Sequence, residues 1–462
     1  MLTQEEVKEI FHQKEIFFDD GNTQSYEFRM EQLKKFKVAI EKYEEEILEA
    51  LHQDMHKPKF EAYTSEIGIM LEEIEHTIKH LRNWMKPKKV STPVVLHPSS
   101  SYIYKQPLGV VLIIGPWNYP FQLLMAPLVG AIAAGNCAII KPSNETPHTA
   151  KIVEKLVENT FDKNYISVVQ GSGSTMGPLL IENNRFDHIF FTGSPKVGSQ
   201  IASMAAKHLT PVTLELGGKS PAIVDKSVNI EVAAKRLTWA KFFNAGQTCV
   251  CPDYLLVHEE IKEVFVEEMK KNIRLFYGEN PQKSKDLARI VNAKRFETLK
   301  QYLNNGRILI GGEFDETERY IAPTLIDQVG MDDVIMQEEI FGPIMPILTY
   351  KTNDDVVRQV RKHRHPLACY IFSNDDDNKN YFIQNIEFGG GCVNNCMVHL
   401  VNPELPFGGV GNSGMGKYHG KDSFDTMSHT KSVIKTATWL DPSLRYAPYT
   451  DSKLKWAECF MG

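Results

Sequence analysis

No run of apolar residues in this chain approaches the roughly 18 needed to cross a bilayer as a helix. The longest, residues 123–134, is interrupted by Pro127 and Gly130. The opening stretch MLTQEEVKEIF is acidic and amphipathic and lacks the basic-then-apolar order of a secretory leader, so a cytoplasmic location is expected. Cysteine is scarce: the seven residues Cys137, Cys249, Cys251, Cys369, Cys392, Cys396 and Cys459 are odd in number and scattered. That excludes a disulfide framework, fits a reducing compartment and leaves at least one thiol free to react. Basic residues are not in excess, since 52 Lys and Arg face 58 Asp and Glu for a net charge of −6. Nucleic acid and anionic membrane are therefore poor partners, and a small molecule is the expected one. Internal repeats and low-complexity tracts are absent, and the polar tail after Thr430 carries no lipidation motif or hydrophobic anchor. What remains is a 462-residue chain, 42% hydrophobic and 24% charged. Its composition is that of a soluble globular protein, and its length predicts roughly three domains.

Between residues 27 and 54 the apolar positions Leu33, Phe36, Ile40, Tyr43, Ile47, Leu48 and Leu51 recur at helical spacing, which predicts one long amphipathic helix ending before Pro58. A second helical pattern covers residues 65–85. The basic, proline-punctuated stretch KPKKVSTPVVLHPSS follows, and residues 86–106 read as an extended arm or connector. The period then changes. LGVVLII from Leu108, CAII from Cys137, ISVV from Ile166 and HIFF from His188 are short apolar runs separated by helical segments. Such runs belong to strands buried on both faces, and their alternation with helices predicts a doubly wound parallel sheet. PVTLEL from Pro211 opens a second unit, continued by PAIV from Pro221, a helix over residues 230–243 and YLLV from Tyr254.

Four segments combine rare residue types with turn-forming Gly or Pro: GPWNYP from Gly115, FTGSPKVG from Phe191, LELGGKSP from Leu214 and FNAGQTCVCP from Phe243. With QEEIFGPIMPI from Gln337 and LPFGGVGNSGMG from Leu405 they resemble, in order, the motifs of the aldehyde dehydrogenase superfamily, most closely its short class 3-like branch. The resemblance covers residues 108–430. It implies a Rossmann-like parallel-sheet cofactor domain (1–85 and 107–209), a second α/β catalytic domain (210–420), and a bridging or oligomerisation element (86–106 and 421–462) supporting a homodimer.

Cys249 follows Ala-Gly-Gln-Thr just after a helix, a loop placement that could aim its side chain into a cleft, and a thiolate is well suited to attack an aldehyde carbon. On its own it could equally be an inert buried cysteine; the resemblance makes it the nucleophile. Cys251, two residues on, is either a packing residue or a redox partner of Cys249. The resemblance makes Asn118 the side-chain donor to the oxyanion and Glu215 the base for thioester hydrolysis. A lone Glu between two leucines could otherwise be a hydrogen-bonded buried carboxylate.

FTGSPKVG places Gly193 and Gly198 around a strand-to-helix turn, so Ser194 and the first backbone N–H groups of the helix can meet a pyrophosphate. GSGSTMG from Gly171 also follows a strand, but its last glycine comes one residue late, and it reads as turn structure. The resemblance assigns Lys141 to the adenosine ribose of NAD or NADP, Glu339 to the nicotinamide ribose and Phe341 to the nicotinamide ring. Phe407 would be a wall of the substrate channel, and Trp117 and Tyr119 permit an apolar tunnel for a medium to long aliphatic or an aromatic aldehyde. Many relatives carry a glutamate where this chain has Asn144, a departure that predicts use of NADP as well as NAD. The pairs His52/His56 and His76/His80 read as solvated helix faces rather than metal sites, Cys392 and Cys396 lack the second cysteine pair of a zinc site, and Asn144-Glu145-Thr146 is a glycosylation sequon with no use in the cytoplasm. The rivals are an acylating or acyl-phosphate-reducing relative, against which Glu215 argues, and a non-catalytic relative, which should have lost Cys249, Asn118 or Glu215.

Overall fold

The computed structural model describes residues 2–461. It is an α/β protein organised on two largely parallel sheets. The first has six strands in the order Gly414–Met415, Val212–Glu215, His188–Thr192, Val110–Ile114, Cys137–Lys141 and Ile166–Val168, parallel except at the Gly414–Met415 edge. Val110–Ile114, Cys137–Lys141 and His188–Thr192 are buried at every position, as expected of strands covered by helices on both faces. From Val110–Ile114 the chain moves outward one strand at a time, then returns through the helix Gly173–Ile181 to add His188–Thr192 on the other side. That reversal leaves a crevice at the carboxyl ends of Val110–Ile114 and His188–Thr192, the place where open α/β sheets bind ligands.

The second sheet has seven strands, ordered Arg307–Ile310, Thr324–Asp327, Ile344–Tyr350, Tyr254–His258, Pro221–Val224, Ala368–Phe372 and Gly390–Val393, with only Arg307–Ile310 antiparallel to its neighbour. A third, antiparallel sheet joins Lys88–Val90, Ser100–Pro107 and Ser428–Lys435, with paired register from Ser428 opposite Pro107 to Lys435 opposite Ser100. The connector and the tail are thus one structure. The apolar stretch around Pro127 is the helix Gln122–Ala134, buried along its whole length between the first sheet and the N-terminal helices. No helix among the described residues is long and apolar enough to cross a membrane.

Three local expectations change. The expected single helix over residues 27–54 is two, Tyr26–Lys42 and Glu44–Met55, hinged at Tyr43 (φ −98°, ψ 10°). Glu44, Glu45 and Glu46 crowd the first turn of the second helix, where its dipole favours negative charge, so the chain restarts there while all seven apolar positions stay buried. PVTLEL does not open the second unit: Val212–Glu215 pairs with His188–Thr192 in the first sheet. An apolar run reports that a strand is buried, not which neighbour it pairs with. In GSGSTMG only the start is a turn, with Gly171 at φ 137°, and from Gly173 the segment is helical. Among the histidine pairs, His52 and His56 are exposed as expected, whereas His76 and His80 are half-buried beside Trp84.

Candidate active site

The loop that carries Cys249 is held by its backbone. After the helix Ile230–Phe242, Asn244 (φ 52°), Ala245 (φ 51°) and Gly246 (φ 72°) turn successively through the left-handed region. A side chain at Gly246 would collide with the Gly342 carbonyl, so glycine is required there. Two non-glycine residues in this region store strain that the surroundings must over-determine, and they do. Asn244 N–H donates to Glu61 Oε2 (2.9 Å) and its Nδ2 to the Asn118 carbonyl (2.9 Å). Gln247 Nε2 donates to the carbonyls of Asn244 (3.1 Å) and Arg289 (3.0 Å), while its Oε1 accepts from Val291 N–H (3.0 Å). Asn118 Nδ2 donates to the Gln247 carbonyl (3.1 Å), tying the PWNYP turn at the end of Val110–Ile114 to the Cys249 loop across the two sheets.

Two cavities meet at Cys249. One, of about 690 Å³, is the more polar of the two and is lined by Asn118, Thr192, Gly193, Ser194, Glu215, Arg295, Glu339, Phe341 and His363 as well as Cys249. The other, of about 330 Å³, is apolar; Tyr119, Trp239, Phe243, Leu400 and Phe407 are among its walls, and Cys249 again stands at its edge. Leu123 is the other residue common to both. Trp117 lines the more polar cavity, packing edge-on to Phe341 with centroids 5.2 Å apart, whereas Tyr119 lines the apolar one. Adjacent residues of a turn have no fixed side-chain period, so sequence could not separate them. Tyr119 is anchored by a 2.6 Å hydrogen bond between its hydroxyl and that of Thr248.

Glu215, at the carboxyl end of its strand, is 3% exposed, and neither carboxylate oxygen has a hydrogen-bond partner among the described residues. Burial pushes its pKa far above the usual carboxylate range. The same cause, with added repulsion from Glu339 and Glu215, raises the Cys249 thiol. Cys251 lines neither cavity. Its thiol lies against the carbonyls of Ala240 (3.7 Å), Lys241 (3.6 Å) and Pro252 (3.4 Å), the setting of a packing residue.

At the far end of the polar cavity, Gly193 and Ser194 lead into the helix Pro195–Ala206, whose first backbone amide is absent at Pro195 and whose Val197 N–H is capped by Ser194 Oγ (3.4 Å). A Cβ on Gly198 would stand 2.7 Å from Leu216 Cδ2, so glycine here lets the helix close on the sheet. Gly217 plays a comparable part for Glu339, whose carboxylate occupies the space a side chain would need. Burial and the charge of Asp253, opposed by Arg295 and Lys219, push Glu339 up to about 8. Lys141 is buried and donates to the Pro142 carbonyl (3.1 Å); Asn144 is exposed and donates to Glu145 Oε1 (3.2 Å); neither lines the cavity. Thr192 Oγ1, the Glu215 oxygens, Arg295 Nε and His363 Nε2 are buried without hydrogen-bond partners among the described residues, a polar set suited to a polar ligand. Arg295 and His363 were not legible as site residues, because isolated Arg and His carry no motif, and Thr192 sits inside FTGSPKVG, a motif read through its glycines and Ser194; the cavity that gathers all three identifies them.

The Aldehyde dehydrogenase family profile matches residues 1–433. The chain is 50% identical over 456 residues to the 4,4'-diaponeurosporen-aldehyde dehydrogenase of Staphylococcus aureus, covering 98% of this chain and 99% of that one. It is 43% identical over 438 residues to the rat (Rattus norvegicus) aldehyde dehydrogenase named dimeric and NADP-preferring, covering 95% and 96%. A solved structure described as the substrate-bound state of Staphylococcus aureus AldH superposes with a TM-score of 0.97 at 49% identity, covering 100% of both chains. A match of this extent, on a fold that brings a loop cysteine, an unpaired carboxyl and an asparagine amide to the junction of two cavities, shows that the chain belongs to the aldehyde dehydrogenase family.

Proposed function

We propose that this chain oxidises a medium to long aliphatic or an aromatic aldehyde to the carboxylic acid, with NAD or NADP as hydride acceptor. The carrying observation is that Cys249 alone among the polar residues edges both the apolar and the polar cavity, with Glu215 lining the latter. The aldehyde chain lies in the apolar cavity and its carbonyl reaches Cys249. Cys249 loses its proton to solvent and the Sγ thiolate adds to the carbonyl carbon, the carbonyl π pair moving to oxygen to give a thiohemiacetal oxyanion. One N–H of Asn118 Nδ2 is committed to the Gln247 carbonyl, which fixes the amide and leaves the second for the oxyanion, together with the Cys249 backbone N–H. Gly193, Ser194, Gly198 and the start of the helix Pro195–Ala206 hold the cofactor pyrophosphate, Lys141 and Asn144 the adenosine ribose, and Glu339 and Phe341 the nicotinamide end. When bound, the nicotinamide supplies the hydride acceptor that turns the thiohemiacetal into a thioester on Cys249. Glu215, in the ionised form that its burial disfavours, then takes a proton from water as that water attacks the thioester carbon, and the acid leaves as the thiol is regenerated.

The Staphylococcus aureus relative is named for 4,4'-diaponeurosporen-aldehyde, and the apolar cavity walled by Trp239, Phe243, Leu400 and Phe407 supports an aldehyde with an apolar body. The rat relative's name supports a homodimer, with the Lys88–Val90, Ser100–Pro107 and Ser428–Lys435 sheet as its bridging element. A cytoplasmic location fits seven unpaired cysteines. Steady-state rates across aldehydes of increasing chain length with both cofactors test the reading; a preference for short polar aldehydes, or coenzyme A-dependent turnover without acid release, would overturn it.

Two substitutions probe the assignments. Asn118→Ala should slow the first burst of NAD(P)H by about 10² to 10³, the usual cost of one oxyanion donor; an unchanged burst removes Asn118 from that role. Asn144 replaces a carboxylate that would repel a 2′-phosphate, so wild type should turn over NADP as well as NAD. Asn144→Glu should raise the KM for NADP far more than for NAD, because like charges a few ångströms apart repel by roughly 1 to 4 kcal/mol. An unchanged ratio of the two kcat/KM values would place the ribose elsewhere.

A further inference from the structure

Behind the Asn118 turn lies a buried ion pair that the proposed chemistry does not use. Lys57 and Glu66, 1% and 0% exposed, line neither cavity. Lys57 Nζ donates to Glu66 Oε1 (2.6 Å), reaches the Asn118 carbonyl (3.5 Å) and stands 3.9 Å from the centroid of the Tyr119 ring. Glu66 Oε2 accepts the backbone N–H groups of Phe121 and Gln122, both at 3.0 Å, where the helix Gln122–Ala134 begins. The pair therefore grips the PWNYP turn and the start of the following helix at four of the five positions 118–122: the Asn118 carbonyl, the Tyr119 ring and the amides of Phe121 and Gln122. Both side chains are delivered by irregular backbone. Lys57 follows His56, which closes its helix at φ 50°, and Glu66 lies in the π-helical turn Tyr63–Ile67, a deviation that often accompanies functional sites.

Stability gives little reason to keep such a pair. Desolvating two charges offsets most of their attraction, and apolar residues of similar volume often serve a core as well or better. The contacts made by this pair converge on the turn that carries the proposed oxyanion donor. We infer that Lys57 and Glu66 are positioning residues for the aldehyde chemistry, holding the Asn118 amide against the Cys249 loop without lining either cavity; the inference rests on the oxyanion role proposed for Asn118. The Asn118 carbonyl is shared between Lys57 Nζ and Asn244 Nδ2, so the clamp also bears on the strained turn before Cys249. Glu61, from the neighbouring turn, secures that strained segment through Asn244 N–H and makes the grip two-sided.

A double-mutant cycle on the NAD(P)H burst tests this. Lys57→Met keeps the length of the side chain, and Glu66→Gln is isosteric and guards against a Lys57 variant that does not fold. Each should slow the burst by about tenfold to a hundredfold, the scale of a small misplacement of a reacting group. Cofactor Kd, read by quenching of tryptophan fluorescence, should stay within about twofold. In the Asn118→Ala background neither substitution should slow the burst further, because the group they position is gone. Slowing that multiplies with that of Asn118→Ala, or an unchanged burst in the folded single variants, overturns the inference. If Asn118→Ala alone leaves the burst unchanged, the oxyanion assignment falls first and this inference with it, so the two failures are told apart.

Discussion

Cys249→Ala is expected to reduce aldehyde-dependent NAD(P)H formation by a factor on the order of 10⁴ to 10⁶, the usual loss on removing a catalytic nucleophile. The fold should survive, because the loop is held by the hydrogen bonds of Asn244 and Gln247 and by Asn118, none of which uses the Cys249 side chain. Cofactor affinity should be nearly unchanged, since Cys249 touches the polar cavity only where it meets the apolar one. Purified Cys249→Ala that turns over at more than a trace of the wild-type rate, with cofactor Kd intact, would take the thiol out of the mechanism. The resting thiol is raised by burial and by Glu339 and Glu215, so the burst rate of the wild type should climb with pH across the neutral to alkaline range.

Glu215→Gln separates the two half-reactions. Hydride leaves before water is needed, so the variant should give a burst of about one NAD(P)H per site and then stall, with steady-state turnover down by about 10² to 10⁴, the contribution of a general base. Mass spectrometry of the stalled enzyme should find the acyl group on the Cys249 peptide. Loss of the burst together with turnover would move Glu215 to the first step. A stability change should accompany the kinetic one. The carboxyl pKa is raised in the folded protein by burial, whereas in the unfolded chain it ionises near its ordinary value of about 4.3. Above that value the unfolded state releases a proton that the folded state keeps, so the stability Glu215 contributes at low pH is lost as pH rises toward its folded pKa. Gln has no such proton to lose, so the variant should gain Tm over wild type at pH 8 and little at pH 4. An equal shift at both pH values would show that the carboxyl is not held neutral.

By itself the sequence determined the local pieces of this protein. The apolar runs at Val110–Ile114, Cys137–Lys141, Ile166–Val168 and His188–Thr192 are strands because they are short, continuous and bounded by turn residues, a pattern that needs no distant partner to be read. The loop character of Cys249 and the helix start after Ser194 follow from neighbouring Gly, Ser and Pro in the same way. Tertiary structure decided everything that depends on which surface meets which. Val212–Glu215 joins the first sheet and the Cys249 loop follows a helix of the second, so Glu215 and Cys249 reach one crevice from two bodies of structure. Trp117 and Tyr119, two residues apart, face different cavities because a turn has no periodicity to assign them. The break at Tyr43 is a competition between helix continuation and a new acidic N-terminus within an unbroken apolar stripe. Lys57 and Glu66 look like ordinary surface charges in the sequence; only the packing of residues 57–66 beneath the Asn118 turn removes them from water and makes their charges matter.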